Sequence, residues 1–289
     1  MRNLLKLRLS LFLLLVCAFS ALAQEKSGKV ENFKLDSKLM SREMPYRVVF
    51  PTGYQPQDAQ KLYPAIYLLH GLGGRFDNWT DKSQITRLAE QYKVIIVTPE
   101  GNNGWYSDSA TVPNDKYESY IVQELIPEVE TKFRVSPKRE QRIIAGLSMG
   151  GYGSLKFGLK YPEKFVLVGS FSGALGAASW TDKTLGSGWK ALTDSIMSVY
   201  GAENSPTRQS NDIYRILREI TPEKAKNLPF IYLDCGTEDF LIQQNRDFAT
   251  LLMEKKIPHE FRQLPGRHDW VYWNSQIAEF LEVTTKHLK

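Results

Sequence analysis

From Lys61 onward, short apolar runs alternate with longer segments of helical spacing, and no other feature constrains the fold as tightly. The runs are Ala65–Leu69, Val94–Val97, Arg142–Ala145, Phe165–Val168, Phe230–Leu233 and Phe261–Leu264. They are short, rich in β-branched and aromatic residues, and bounded by Gly or Pro, which predicts strands buried on both faces. Between them, Ile85, Leu88 and Tyr92 recur at helical intervals, as do Phe248, Leu251 and Leu252, and again Trp270, Trp273, Ile277 and Leu281. Such alternation predicts βαβ units in an open, mostly parallel sheet with helices on both faces, an α/β domain. Upstream, Val30–Ser37 and Tyr46–Phe50 read as extended pieces joined by a polar turn, expected to pair antiparallel at the sheet edge. Pro127 falls inside the helical stretch Lys116–Phe133 and should kink or restart it.

Residues 172–215 break this rhythm. They carry several glycines, Trp180, Trp189 and Asn/Ser-rich turns, with no clean strand or long helix before about Ile213. Irregular stretches of that length inside a domain serve as lids or binding loops, so an insertion over the C-terminal edge of the sheet is expected. No repeat, low-complexity tract or linker appears, and residues 24–289 are read as one domain.

The first 23 residues read differently. Arg2, Lys6 and Arg8 precede an apolar run from Leu9 to Val16, and Ala21-Leu22-Ala23 supplies the small residues of a cleavage site. This is the three-part pattern of a secretory signal peptide, and it predicts an exported, periplasmic or extracellular protein. The 15 residues from Leu9 to Ala23 fall short of the roughly 20 needed to span a bilayer. Lipidation at Cys17 is the lesser alternative, since Val16 is bulky where lipoprotein signals carry a small residue. No later run approaches 18 apolar residues, so no membrane association is expected after cleavage. Cleavage would also leave Cys235 alone and the mature chain without a disulfide. The residue reads as a buried small hydrophobe in a strand.

Hydrophobic content of 42% with 24% charged residues excludes disorder, collagen and coiled coil. Three of the 37 basic residues lie in the leader, where there is no acid, which leaves 34 against 32 acidic ones. A chain so near neutrality offers no electrostatic reason to expect nucleic acid as a partner.

The sharpest chemical signal is Gly146-Leu147-Ser148-Met149-Gly150-Gly151. A predicted strand enters it and a helical segment, Tyr152–Tyr161, leaves it, the setting of a nucleophile elbow. Its glycines let strand and helix pass closely, and the helix start aims amides at an incoming oxyanion. A serine hydroxyl needs a base. Of the four histidines, His287 is near the C-terminus and expected to be exposed, His259 opens a strand, and His70 ends one. His268 lies in the turn between the last strand and the final helix, where this architecture places catalysis. The imidazole in turn needs an orienting carboxylate. Asp239 lies beyond the end of the strand Phe230–Leu233, with Glu238 as runner-up, while Asp234 reads as structural and Asp269 adjoins the histidine too closely. The order Ser148, Asp239, His268 is that of the α/β-hydrolases. The glycine-rich His70-Gly71-Leu72-Gly73-Gly74 after an early strand nominates the Leu72 amide, with that of Met149, as oxyanion donors. No histidine pair at helical spacing and no cysteine cluster suggests a metal, and no cofactor is implied.

With these residues in place, the chain resembles the esterase D-like branch of α/β-hydrolases. That branch includes feruloyl and acetyl-xylan esterases, tributyrin-type esterases, S-formylglutathione hydrolases and mycolyltransferases. The resemblance rests on Tyr67–Gly74 with Asn78-Trp79, on Gly146–Gly151, on Gly236–Asp239 and on Gly266–Trp273. It implies the α/β-hydrolase fold, with Ser148, Asp239 and His268 as triad and Leu72 and Met149 as oxyanion donors. It further implies a secreted serine esterase working through an acyl-enzyme on short-chain acyl, acetyl or feruloyl esters, including those linked to plant polysaccharide. Tyr152 stands where the glutathione-thioester hydrolases usually have His. Trp180 and Trp189 could stack on phenolic or sugar rings. An acyltransferase with the same triad and a non-catalytic carbohydrate-binding homologue are the alternatives.

Overall fold

The structure is a computed structural model that describes residues 28–58 and 60–289. The predicted leader, with Cys17, lies outside the described residues. Eight strands form one sheet: β1 (Lys29–Ser37), β2 (Arg42–Phe50), β3 (Ala65–Leu69), β4 (Ile95–Pro99), β5 (Arg142–Leu147), β6 (Leu167–Phe171), β7 (Phe230–Gly236) and β8 (His259–Leu264). Their spatial order is β1-β2-β4-β3-β5-β6-β7-β8. β2 pairs antiparallel with β1 and β4, and all other neighbours are parallel, so β2 alone runs against the rest. This is the α/β-hydrolase fold with the antiparallel N-terminal edge expected from the sequence.

Alternation within each strand decides what the two faces bury. On β3, Ala65, Tyr67 and Leu69 join the apolar cluster of one face, and Ile66 and Leu68 that of the other. The helices Ile85–Tyr92 and Trp270–Thr284 cover the second face through Ile85, Leu88, Trp273, Ile277 and Leu281. The helices Met149–Lys160 and Ile242–Glu254 cover the first. Among the described residues, no helix is long and apolar enough to cross a membrane.

Some elements differ from expectation in instructive ways. β6 starts later than Phe165 and runs on through Gly169 and Ser170. The glycine is no stop signal there: a Cβ on Gly169 would lie 2.5 Å from the Phe280 ring, so the small residue serves close packing. Pro127 restarts its helix. The turn before it widens to a π-helix over Tyr120–Leu125, and a regular helix, Ile126–Lys132, begins with the proline in its first turn. Residues 172–215 are not a loop. They hold the helices Asp182–Leu185, Lys190–Tyr200 and Pro206–Asn211 and the start of Ile213–Arg218. The longest buries Thr193, Ile196, Val199 and Tyr200. That face is hidden in the sequence by its threonine and by the glycines on either side. His287 is half-buried rather than exposed, stacked on Phe230 with ring centroids 4.2 Å apart. Cys235 is a fully buried free cysteine on β7, where burial pushes its thiol pKa up.

β5 and the helix that follows it cross closely. A Cβ built on Gly146 would lie 2.6 Å from the backbone carbon and oxygen of Gly150, and 2.8 Å from the Leu69 Cβ. Backbone cannot yield as a side-chain tip can. Gly146→Ala should therefore lower the free energy of unfolding by about 1–3 kcal/mol, seen as a lower urea midpoint at unchanged m-value. An unaltered midpoint would contradict so close a crossing.

Candidate active site

Three loops at the C-terminal ends of β5, β7 and β8 carry Ser148, Asp239 and His268. Ser148 directly follows β5 and caps the helix Met149–Lys160, with φ 54° and ψ −114°. A serine rarely adopts that conformation, so its neighbours must hold it. Its N–H donates to the Phe171 carbonyl at 2.9 Å, and its own carbonyl accepts from Tyr152 at 3.1 Å and Ala174 at 3.0 Å. The backbone groups of the strained residue are thus fully engaged.

His268 meets Ser148. Its Nε2 is 3.0 Å from Ser148 Oγ, and its Nδ1 is 2.8 Å from Asp239 Oδ2. The other Asp239 oxygen accepts from the Leu241 amide at 2.9 Å. Burial pushes the Asp239 carboxyl up, but the hydrogen bond and charge of His268 outweigh it and hold the pKa below the usual aspartate value. The carboxylate is therefore ionised at neutral pH, and it fixes the tautomer that leaves Nε2 facing the hydroxyl.

The competing groups are occupied elsewhere. Glu238 pairs with Arg267 at 2.9 Å on the surface. Asp269 caps the last helix, accepting from the Tyr272 amide at 3.0 Å. Asp234 is fully buried beside Tyr232 and Tyr272, and burial holds its carboxyl well above the usual range. His70 is buried with Nε2 3.0 Å from Glu100 Oε1 and Nδ1 2.8 Å from the Gly71 carbonyl. It braces the turn after β3. His259 opens the edge strand β8.

That turn is Gly71–Gly74, closed by a 3.0 Å bond from the Gly74 amide to the Gly71 carbonyl. Gly73 takes φ +69°, a conformation open to glycine, and donates to Asn103 Oδ1 at 2.8 Å. Leu72 lines the same cavity as Ser148, and Met149 follows Ser148 in the chain. Met149 is the first residue of its helix, so its amide has no intrahelical acceptor. A cavity of about 180 Å³ joins Gly71, Leu72, Ser148, His268, Trp270 and Trp273. A second, of about 390 Å³, shares Leu72 and is walled by Asn103, Trp189 and Leu192. A cavity of about 950 Å³ lies by Val166, Phe230 and His287 at the other end of the sheet and contains none of these groups.

The two tryptophans named from the sequence part company. Trp189 is 48% exposed at the rim and stacks on Phe240, with centroids 6.0 Å apart. Trp180 lines neither cavity at Ser148. Half-buried, it packs edge-on against the buried Trp105 at 6.1 Å, on the side of the core. Sequence reasoning missed Phe240, which is 65% exposed and lies 4.9 Å from the His268 ring. The signal was there: an aromatic directly after the acid of the triad order is carried wherever that acid goes. It missed Asn103 as well, whose contact with Gly73 spans 30 positions and has no local signature. Among the described residues, no group of three or more His, Cys, Asp or Glu could hold a metal ion.

A serine, an imidazole and a carboxylate in series, beside backbone donors, can accept and pass on an acyl group. Comparison with known proteins agrees. The Esterase family model, described as "Putative esterase", matches residues 37–283. An acetyl esterase of Caldicellulosiruptor saccharolyticus is 31% identical over 257 residues, covering 86% of this chain and 96% of its own. A fluorophosphonate-binding serine hydrolase of Staphylococcus aureus, solved with substrate bound, superposes with TM-score 0.78 at 27% identity, covering 89% of this chain and 98% of that one. A ferulic acid esterase superposes with TM-score 0.74 at 28% identity, covering 91% and 99%. Fold, site and relatives together place the chain in the esterase family, as a serine carboxylic-ester hydrolase.

Proposed function

We propose that this esterase is exported and acts through an acyl-enzyme on Ser148, hydrolysing acetyl, other short-chain or feruloyl esters, including those carried on polysaccharide. The observation that carries the reading is the unbroken series Ser148 Oγ, His268 Nε2, His268 Nδ1, Asp239 Oδ2, at 3.0 and 2.8 Å. In the first half-reaction, His268 Nε2 takes the hydroxyl proton as Oγ attacks the ester carbonyl. The tetrahedral oxygen lies against the Leu72 and Met149 amides. The C–O bond to the alcohol then breaks, and the alcohol leaves with the proton from Nε2. In the second, water gives a proton to Nε2 and attacks the acyl carbon, the bond from that carbon to Ser148 Oγ breaks, and Oγ takes the proton from Nε2 as the acid leaves.

The substrate class is supported by the cavities and by the relatives. The small cavity at Ser148 suits a short acyl group, and the apolar one beside it, under Trp189, has room for a planar ring. The helical segment 172–215 supplies Trp189 and Leu192 to that wall, consistent with an insertion that shapes the cleft. Export rests on the sequence of residues 1–23.

Ser148→Ala should reduce kcat on p-nitrophenyl acetate by roughly 10³-fold or more, and undiminished turnover would refute the assignment. The pH dependence has a definite sign. Only neutral imidazole can accept the hydroxyl proton, whereas Asp239, held below its usual pKa, stays ionised throughout. Hence kcat/KM should fall on acidification, because a protonated imidazole cannot act as the base. A profile that stays flat on acidification would rule out His268 as the base.

A further inference from the structure

The helix that begins at Ser148 carries a second polar side chain that acyl transfer does not use. Lys156, about two turns along, is completely buried. Its ammonium has three donors and meets three acceptors: Glu118 Oε2 at 2.7 Å, the Tyr106 carbonyl at 2.7 Å and Ser107 Oγ at 2.5 Å. The other Glu118 oxygen takes Lys160 at 2.5 Å and the Tyr161 hydroxyl at 2.7 Å. Burial draws the Lys156 pKa down to about 8 against the pull of Glu118. Burial pushes Glu118 up, but the two lysines outweigh it and bring it to about 2. Both are charged at neutral pH. An apolar side chain would fill such a site at less desolvation cost, so the charge calls for a reason.

The reason lies in what the ammonium grips. Trp105 and Tyr106 have φ of 51° and 50°, a left-handed pair that bulky residues seldom form. Such backbone persists only when its surroundings over-determine it. Lys156 holds the carbonyl of Tyr106 and the hydroxyl of Ser107, while the Tyr106 ring is wedged between Gly101 and Gly153, where added Cβ atoms would lie 2.5 and 2.8 Å from it. At the far end of the ring, the Tyr106 hydroxyl donates to the His70 carbonyl at 3.0 Å. His70 is the last residue before the Gly71–Gly74 turn. On the other side of that turn, Asn103, from the same loop, accepts from Gly73.

We propose that Lys156 is a positioning residue for the oxyanion hole: it locks Trp105–Ser107, and Tyr106 transmits that constraint through His70 to the turn that carries the Leu72 amide. This rests on the reading of Leu72 as an oxyanion donor. The test uses Tyr106→Phe, which removes only the hydroxyl, Lys156→Met, and Lys160→Met as control. The control takes a charge from the same Glu118 without touching Tyr106. For each, kcat and KM on p-nitrophenyl acetate are measured, together with the Ki of phenylboronic acid, whose tetrahedral adduct on serine places an oxygen in the oxyanion site. Tyr106→Phe and Lys156→Met should each lower kcat about tenfold and raise Ki by a similar factor, with KM within about twofold. Lys160→Met should leave kcat and Ki at wild-type values. A folded Tyr106→Phe with unaltered kcat and Ki would overturn the proposal, and so would equal losses in the two lysine variants. Should Lys156→Met not fold, Tyr106→Phe decides alone. Wild-type protein without activity on any ester would instead overturn the hydrolase reading.

Discussion

The turn from β5 into its helix has to be made at one residue, and the backbone strain of that residue organises the site. A left-handed serine costs of order 1–3 kcal/mol, and hydrogen bonds to the Phe171 carbonyl and from the Tyr152 and Ala174 amides hold it in place. The conformation starts a helix at the next residue, whose first amide has no intrahelical acceptor. Gly146 and Gly150 allow the strand and helix to cross as closely as this requires. The parallel sheet does the rest. Because β5, β7 and β8 run in one direction, their following loops bring Ser148, Asp239 and His268 to one rim, although they lie up to 120 positions apart.

Around that turn, charge is buried with its partners. Asp239 is held ionised by the imidazole it orients. Glu100 braces His70, and Glu118 gathers two lysines. The last two pairs surround the loop of residues 101–107, which touches the Gly71–Gly74 turn through both Tyr106 and Asn103. Aromatic side chains close the outside: Phe240 and Trp273 each lie 4.9 Å from the His268 ring, and Trp189 stacks on Phe240.

Local features were legible and distant ones were not. The parallel sheet could be read because β3 to β7 are buried on both faces and so appear as apolar runs, whereas the edge strand β8, also expected to be buried, is half-buried to exposed. Ser148 could be read because a nucleophile elbow needs glycines at fixed offsets. His268 and Asp239 followed by elimination, from their places after strand ends. The helix Lys190–Tyr200 escaped because Thr193 and Tyr200 sit on its buried face, so its apolar stripe is broken. The core-side position of Trp180 and the rim position of Trp189 have equal claims in sequence, and only tertiary packing separates them. Lys156 looks like any exposed helix lysine. Its burial depends on Glu118 and Tyr106, 38 and 50 positions away.

The account stands on one nucleophile being activated where three loops meet, and covalent labelling interrogates that directly. Native protein treated with a fluorophosphonate should gain a single adduct, located by peptide mass analysis on Ser148, and none after the protein is unfolded beforehand. Adduct formation at another residue, or a native protein that never labels, would contradict it.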